Sequence, residues 1–222
     1  PLFLVYVDNP MCSIDCADAI CEVLNYSGLY EAKLVGPDSY PFLELNKINL
    51  RKADCIVMPG GLGDSDQFDY NLYRKKDLIT NYVASGGKYL GICMGSYFAG
   101  HYYFDLLNGI HAKQYIKRKN STIKRLDHDV VDLTWNGKDA SVYFHDGAAF
   151  IPVDKRKIDA TILATYKNGD IAAMIQKYGE GTVGVVGPHP EAMKWWFYSQ
   201  TRIRNRWHDC IRPVSYTHLT LP

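Results

Sequence analysis

Apolar residues in this chain fall alternately into short continuous runs and helical stripes, and their order predicts the architecture. Leu2 to Val7 is an apolar run rich in strand formers, and after Pro10 the stretch Met11 to Leu24 predicts a helix. Glu31 to Val35 predicts a second strand, and Ala53 to Met58 a third that ends in Pro59-Gly60-Gly61. Tyr70 to Ala84 carries Leu72, Leu78, Ile79, Tyr82 and Val83 at helical spacing among charges, and Gly86-Gly87 stops it. Tyr89 to Ile92 predicts another buried strand, followed by a small-residue helix from Met94 to Ala99. Strands alternating with helices imply parallel pairing, right-handed crossovers and a ligand crevice outside the carboxyl ends of the strands.

From about Ile110 the pattern shifts to strands joined by tight turns. Val130 to Trp135 and Ala140 to Phe144 flank Asn136-Gly137, while Thr161 to Tyr166 and Ile171 to Gln176 flank Asn168-Gly169. Asn-Gly pairs favour the positive φ angles of hairpin turns, so these strands are expected to be antiparallel. Thr182 to Val186 is a further strand, and Met193 to Cys210 predicts a closing helix packed through Trp195, Trp196, Ile203 and Trp207. Gly179-Glu180-Gly181-Thr182-Val183-Gly184 matches G-x-G-x-x-G, but it lies between two strands instead of opening a helix, so a hairpin turn is expected there. With no linker, repeat or charge block, residues 1–212 are expected to form a single α/β domain. Its mostly parallel, flavodoxin-like sheet would be flanked by helices, with antiparallel hairpins in the second half.

Composition narrows the function classes. The 222 residues carry 25 Lys and Arg against 24 Asp and Glu, a formal charge of +1, so no global field draws the molecule to nucleic acid or to acidic lipid. No apolar run approaches the ~20 residues of a membrane span, and no membrane partner is expected. Six cysteines without a disulfide framework suit a reducing, cytoplasmic compartment. Both ends read as incomplete: the chain starts at Pro1, where a leader would be lost, and 213–222 looks like the translation of a sequencing-library adaptor. Continuation past Arg212, with a possible missing C-terminal domain, is left open by this reading.

The chemistry concentrates at Gly91-Ile92-Cys93-Met94-Gly95, which has the G-x-nucleophile-x-G spacing of a strand-to-helix elbow. A reversal this sharp brings backbones into the space of a Cβ, so the residues two before and two after the nucleophile must be small. A sulfur at a helix N-terminus meets unpaired N–H groups that favour the thiolate, the reactive form. The amide of Met94 would face the same space, with a second oxyanion donor from Gly60-Gly61. A buried structural cysteine in a chance glycine context is the alternative. A base and its orienter are supplied by His189-Pro190-Glu191 after the last strand, since alternation directs His189 and Glu191 to similar sides. Among the other native histidines, 101, 111, 128 and 208 are expected in surface or packing roles, and His145 is retained as a possible pocket residue.

Other signals are weaker. Cys12, Cys16 and Cys21 do not converge on a helix at ~100° per residue, though Cys12 and Cys16 share a face and form either a redox pair or ordinary packing. The H-x-E of His189 and Glu191 lacks the P-C-x-x-C that zinc deaminases require, so no metal site and no cofactor are expected. The basic stretch Lys113 to Arg125 is either an anion-binding surface or, more economically, a solvated β-edge defended by charge.

Taken in order, the β-α-β opening, Pro59-Gly60-Gly61, the Cys93 elbow and His189-Pro190-Glu191 resemble the class I glutamine amidotransferase-like superfamily. The segments from Tyr82 to Ala99 and from Tyr143 to Phe150 resemble the biotin-protein ligase N-terminal domain family more closely. The resemblance covers Leu2 to Trp207 and implies a Cys93-His189-Glu191 triad, with Gly60 and Gly61 at the oxyanion hole. Glutamine-using members carry a glutamine near the position of Tyr97, where it helps hold substrate, so the resemblance implies acyl-transfer machinery without implying glutaminase activity. Gly60, Gly61, Met94 and Tyr97 are the expected substrate-binding residues. The expected function is a cysteine-dependent hydrolase or amidotransferase-like enzyme acting on a small-molecule or peptide amide. The alternative is a non-catalytic binding or regulatory module related to the ligase domain.

Overall fold

In the computed structural model, which describes residues 1–210, the apolar runs of the first half pair side by side. The suspected adaptor tail at 213–222 lies outside the described residues. In chain order the elements are β1 (Leu2–Tyr6), α1 (Ile14–Tyr26), β2 (Glu31–Val35), α2 (Lys47–Leu50), β3 (Cys55–Met58), α3 (Ser65–Asn71), α4 (Lys76–Ala84), β4 (Lys88–Ile92) and α5 (Met94–Phe98). There follow β5 (Ile110–Gln114), β6 (Asp129–Trp135), β7 (Lys138–Phe144), β8 (Ala148–Pro152), β9 (Thr161–Tyr166), β10 (Ile171–Tyr178), β11 (Gly181–Val186) and α6 (Lys194–Tyr198).

One sheet runs through both halves in the order β2-β1-β3-β4-β11-β10-β9-β6-β7. The strands from β2 to β11 are mutually parallel, and β11, β10, β9, β6 and β7 are antiparallel to their successive neighbours. β8 leaves this path to pair with β10 and with β5. The expected flavodoxin-like α/β fold with late hairpins is therefore present. Alternation along the parallel strands explains the layers. Phe3, Val5, Cys55 and Val57 pack against Ala17 and Ile20 of α1, while Leu4, Ile56 and Met58 point to the other face with Phe68, Ile79, Val83 and Phe98.

Both late turns behave as predicted. Asn136 and Gly137 have φ of 46° and 77° between β6 and β7, and Gly169 has φ of 87° between β9 and β10. The G-x-G-x-x-G string is indeed a hairpin turn, with Tyr178 paired to Gly181.

Several expectations need correction. The helix expected over Tyr70 to Ala84 is two helices, α3 and α4, separated by a 3-10 turn at Tyr73–Lys75. Asp64 caps α3 by accepting from the Gln67 amide at 3.0 Å, and burial of both Phe68 and Leu72 against the core ends it. The closing helix is also short. Only Lys194–Tyr198 is α-helical, and a 3-10 turn occupies Arg204–Asp209. The Ser199 hydroxyl donates to the Trp196 carbonyl at 2.9 Å, a side-chain bond that competes with helix continuation. Trp196 and Ile203 are buried as expected, but Trp195 is 54% exposed. Cys12 precedes α1 in a bridge to Asp8, so the helical-face argument pairing it with Cys16 does not apply. The basic segment is not an extended edge: Tyr115–Lys117 is a 3-10 turn with Tyr115 buried, and Arg118 pairs with Asp170 at 2.8 Å. Among the described residues, no helix is long and apolar enough to cross a membrane.

Candidate active site

The carboxyl ends of β1, β3, β4 and β11 open on one side of the sheet, and the antiparallel half adds the end of β7. Cys93 follows β4 directly and has φ 51° and ψ −112°, a positive φ forced by the turn from strand to α5. Its amide donates to the Val186 carbonyl at 2.9 Å, which ties the elbow to β11. Glycine is required on both sides, because a Cβ on Gly91 would strike the Gly95 carbonyl and one on Gly95 the Met58 carbonyl.

His189 and Glu191 follow β11. The His189 amide donates to the Tyr143 carbonyl at 2.8 Å, so the loop is fixed against β7. His189 Nδ1 lies 2.8 Å from Glu191 Oε1, and the two residues are only 4% and 3% exposed. The Cys93 side chain faces the same imidazole across the cavity they both line. Burial opposes a charge on this ring, but the facing Cys93 and Glu191 outweigh it and hold His189 well above its ordinary range. The Cys93 sulfur also stands 3.3 Å from the His145 carbonyl oxygen, to which a thiol donates its proton. The sulfur thus lies between an imidazole and a carbonyl.

These groups face a cavity of about 560 Å³. Gly61, Met94 and Tyr97 line it together with Cys93 and His189. Gly60 sits behind the imidazole, where an added Cβ would lie 2.5 Å from His189 Cε1, and its carbonyl accepts from Ser13 at the start of α1. The Tyr97 hydroxyl donates to the Asp146 carbonyl at 3.0 Å, and burial raises its phenol pKa. His145 does line the cavity, as does Asp146, whose carboxylate accepts from Gln114.

Two contributors were not anticipated. His128 was expected at the surface or in packing, but it lines the cavity, with its ring tilted against that of His145 at 3.9 Å between centroids and hydrogen-bonded to the Tyr143 hydroxyl. Extending the β6–β7 register one pair beyond Asp129–Phe144 brings His128 opposite His145, so the Asn136-Gly137 turn held that signal. Burial drives both rings toward the neutral form, His145 down to about 4 with His128 and His189 adding repulsion. The second is Cys16, whose sulfur enters from the first turn of α1 and lies with His189 and Glu191 in one cluster. Burial pushes its thiol up to about 12. Its signal was its place in the first turn after β1, at the same end of the sheet as Cys93.

A buried Cys, His and Glu stand at the strand ends of an α/β sheet whose fold is like that of glutamine amidotransferase subunits. The fold agrees with solved structures: a chain of PurLQS from Thermotoga maritima superposes with a TM-score of 0.64 at 19% identity, covering 100% of this chain and 99% of that one. A Thermoplasma acidophilum protein assigned to GMP synthase gives 0.56 at 18% identity, covering 100% and 98%. More particularly, residues 46–113 match the family described as biotin-protein ligase, N terminal, in agreement with the resemblance seen in the sequence. The chain is 30% identical over 162 residues to the biotin-protein ligase of Schizosaccharomyces pombe, an alignment that takes in 61% of this chain and 25% of that enzyme. The chain thus spans about a quarter of the length of this curated relative.

Proposed function

We propose that the domain is a cysteine-dependent acyl-transfer enzyme, a hydrolase or amidotransferase-like protein acting on an amide or related acyl substrate. The observation that carries this reading is the buried His189–Glu191 pair, with the imidazole facing the same cavity as the Cys93 sulfur on its elbow of positive φ. Cys93 attacks the acyl carbon and its proton passes to His189, while Glu191 fixes the ring and balances the imidazolium. The N–H groups of Gly61 and Met94 hold the oxyanion. Collapse expels the amine with the proton from His189 and leaves a thioester. Water or a second amine, deprotonated by His189, then releases the acyl group and restores the thiol.

The walls indicate the kind of substrate. Among the described residues, the cavity lining contains Asp15 and Asp146 but no lysine or arginine, so a substrate carboxylate meets no ammonium or guanidinium there. With Tyr97 in place of a substrate-holding amide, this favours neutral or cationic acyl compounds over free glutamine.

The test is alkylation by iodoacetamide at pH 6. Cys12, Cys16, Cys21, Cys55 and Cys210 are all held toward the thiol by burial, so Cys93 is expected to label well ahead of them. Cys93→Ala is expected to abolish turnover across a panel of amides and esters. Uniformly slow labelling together with a panel that Cys93→Ala leaves unchanged favours the second reading, a binding module related to the ligase N-terminal domain. That reading has its own support in the Cys93 thiol's contact with the His145 carbonyl, which holds its proton away from the base.

A further inference from the structure

Cys16 has no part in the chemistry proposed above, yet it is placed against the two residues that would serve Cys93. Its Sγ, a ring nitrogen of His189 and a carboxylate oxygen of Glu191 lie within 4.8 Å of one another. A second observation is independent of this cluster. Glu191 is 3% exposed, and its Oε2 has no hydrogen-bond partner among the described residues. An anionic oxygen out of water with its lone pairs unused is costly, and a cation is the group that would satisfy it.

From this geometry we infer that Cys16, His189 and Glu191 form a binding site for a thiophilic divalent transition-metal ion of the zinc class. The donors select the metal. Magnesium and calcium are bound through oxygen alone, whereas one sulfur, one imidazole nitrogen and one carboxylate oxygen suit tetrahedral zinc or cobalt. Metal–ligand bonds of roughly 2.0–2.3 Å bring tetrahedral donors to within about 4 Å of one another. The three groups therefore need to close in only slightly, and Cys16 does so by turning its side chain.

Charge and protons also balance. A Cys16 thiolate and the Glu191 carboxylate neutralise a dication in a buried place where an unpaired charge would be expensive. Binding expels the Cys16 proton and, where His189 is protonated, that proton too, with no change in oxidation state; affinity therefore rises with pH. Three protein donors leave a fourth position on the cavity side, open to water. Only one consequence rests on the proposed function: a metal on His189 removes the base of Cys93, so metal and turnover exclude each other. The binding itself needs no turnover to be seen.

The experiment is cobalt titration of the whole chain after stripping with a chelator. The wild type is expected to take one Co²⁺ with tetrahedral visible bands and a thiolate-to-cobalt charge-transfer band in the near ultraviolet. Cys16→Ser is expected to lose the charge-transfer band and more than about tenfold in affinity, since even outer-shell partners of metal ligands are worth roughly 10- to 100-fold. Cys93→Ser is expected to keep one cobalt and the band. Absence of stoichiometric binding, or a band that survives Cys16→Ser and disappears in Cys93→Ser, overturns the site. Where circular dichroism shows that Cys16→Ser has not folded, protection of wild-type Cys16 from alkylation by zinc gives the same answer, and lack of protection refutes it. Inactivity of the acyl-substrate panel leaves the cobalt spectra standing, so failure of the two readings is told apart.

Discussion

At the scale of single residues, the elbow is a steric problem solved with glycine. Gly95 packs so closely on the end of β3 that a methyl group would enter the Met58 carbonyl, and the Gly95 carbonyl is held by the buried Tyr89 hydroxyl at 2.6 Å. Neither backbone partner can yield without moving a central strand. Gly28 offers a comparison: it has φ of 67°, but nothing lies within 4 Å of an added Cβ. Gly28→Ala tests backbone conformation alone and is expected to cost roughly 1–2 kcal/mol. Gly95→Ala tests overpacking, expected at or above the upper end of the ~1–3 kcal/mol typical of such insertions. Equilibrium unfolding in urea measures both, and equal losses would show that the elbow is not sterically determined. Cys93, His189 and Glu191 stood out at this scale because each lies within two residues of glycine or proline at a strand end. Cys16 and His128 were not, because nothing local marks them.

At the scale of elements, legibility followed the strength of the local signal. Strands that are continuous apolar runs were found almost to the residue, as with β1 and β11, because buried parallel strands form continuous runs bounded by turns. Helices were misjudged where burial overrode period. The α3–α4 pair and the short α6 follow the needs of Phe68, Leu72, Trp196 and Phe197, whose partners are distant in sequence. Hairpin register carries functional information too, since the Asn136-Gly137 turn sets which β6 residue faces β7 and thereby places His128 on His145. Gly137→Ala puts a Cβ on a residue with φ of 77°, and a loss of about 1–2 kcal/mol is expected in thermal or urea unfolding. If the turn also sets the position of His128, the nuclear magnetic resonance signals of both imidazoles shift in this variant. Unmoved ring signals would separate the turn from the site.

At the scale of the whole molecule, the site is where the two halves of the sheet meet: Cys93 and His189 come from the parallel part, His145 and Tyr143 from the antiparallel part, and α6 packs across them. Folding therefore buries three histidines near one another, and stability must depend on pH through them. His145 is ordinarily half-protonated at 6.5, and burial brings it down to about 4 in the folded chain. Between these values the unfolded chain binds more protons than the folded one, so stability falls as pH drops from 6.5 toward 4 and is fully present above 6.5. His128, also lowered by burial, adds in the same direction. His189 acts oppositely, because Cys93 and Glu191 outweigh its burial and raise it: its contribution is present below 6.5 and is lost as pH rises through the folded value. Comparing His145→Gln with the wild type isolates one ring. The shift of His145 sets a ceiling of roughly 3 kcal/mol at 1.36 kcal/mol per unit, reduced by the solvent of the cavity the ring faces. The variant is expected to lose less stability than the wild type between pH 7 and pH 4.5 in urea unfolding. Parallel pH profiles for the two proteins would mean that His145 takes up its proton without penalty, and that the seam between the halves is open enough to hydrate it.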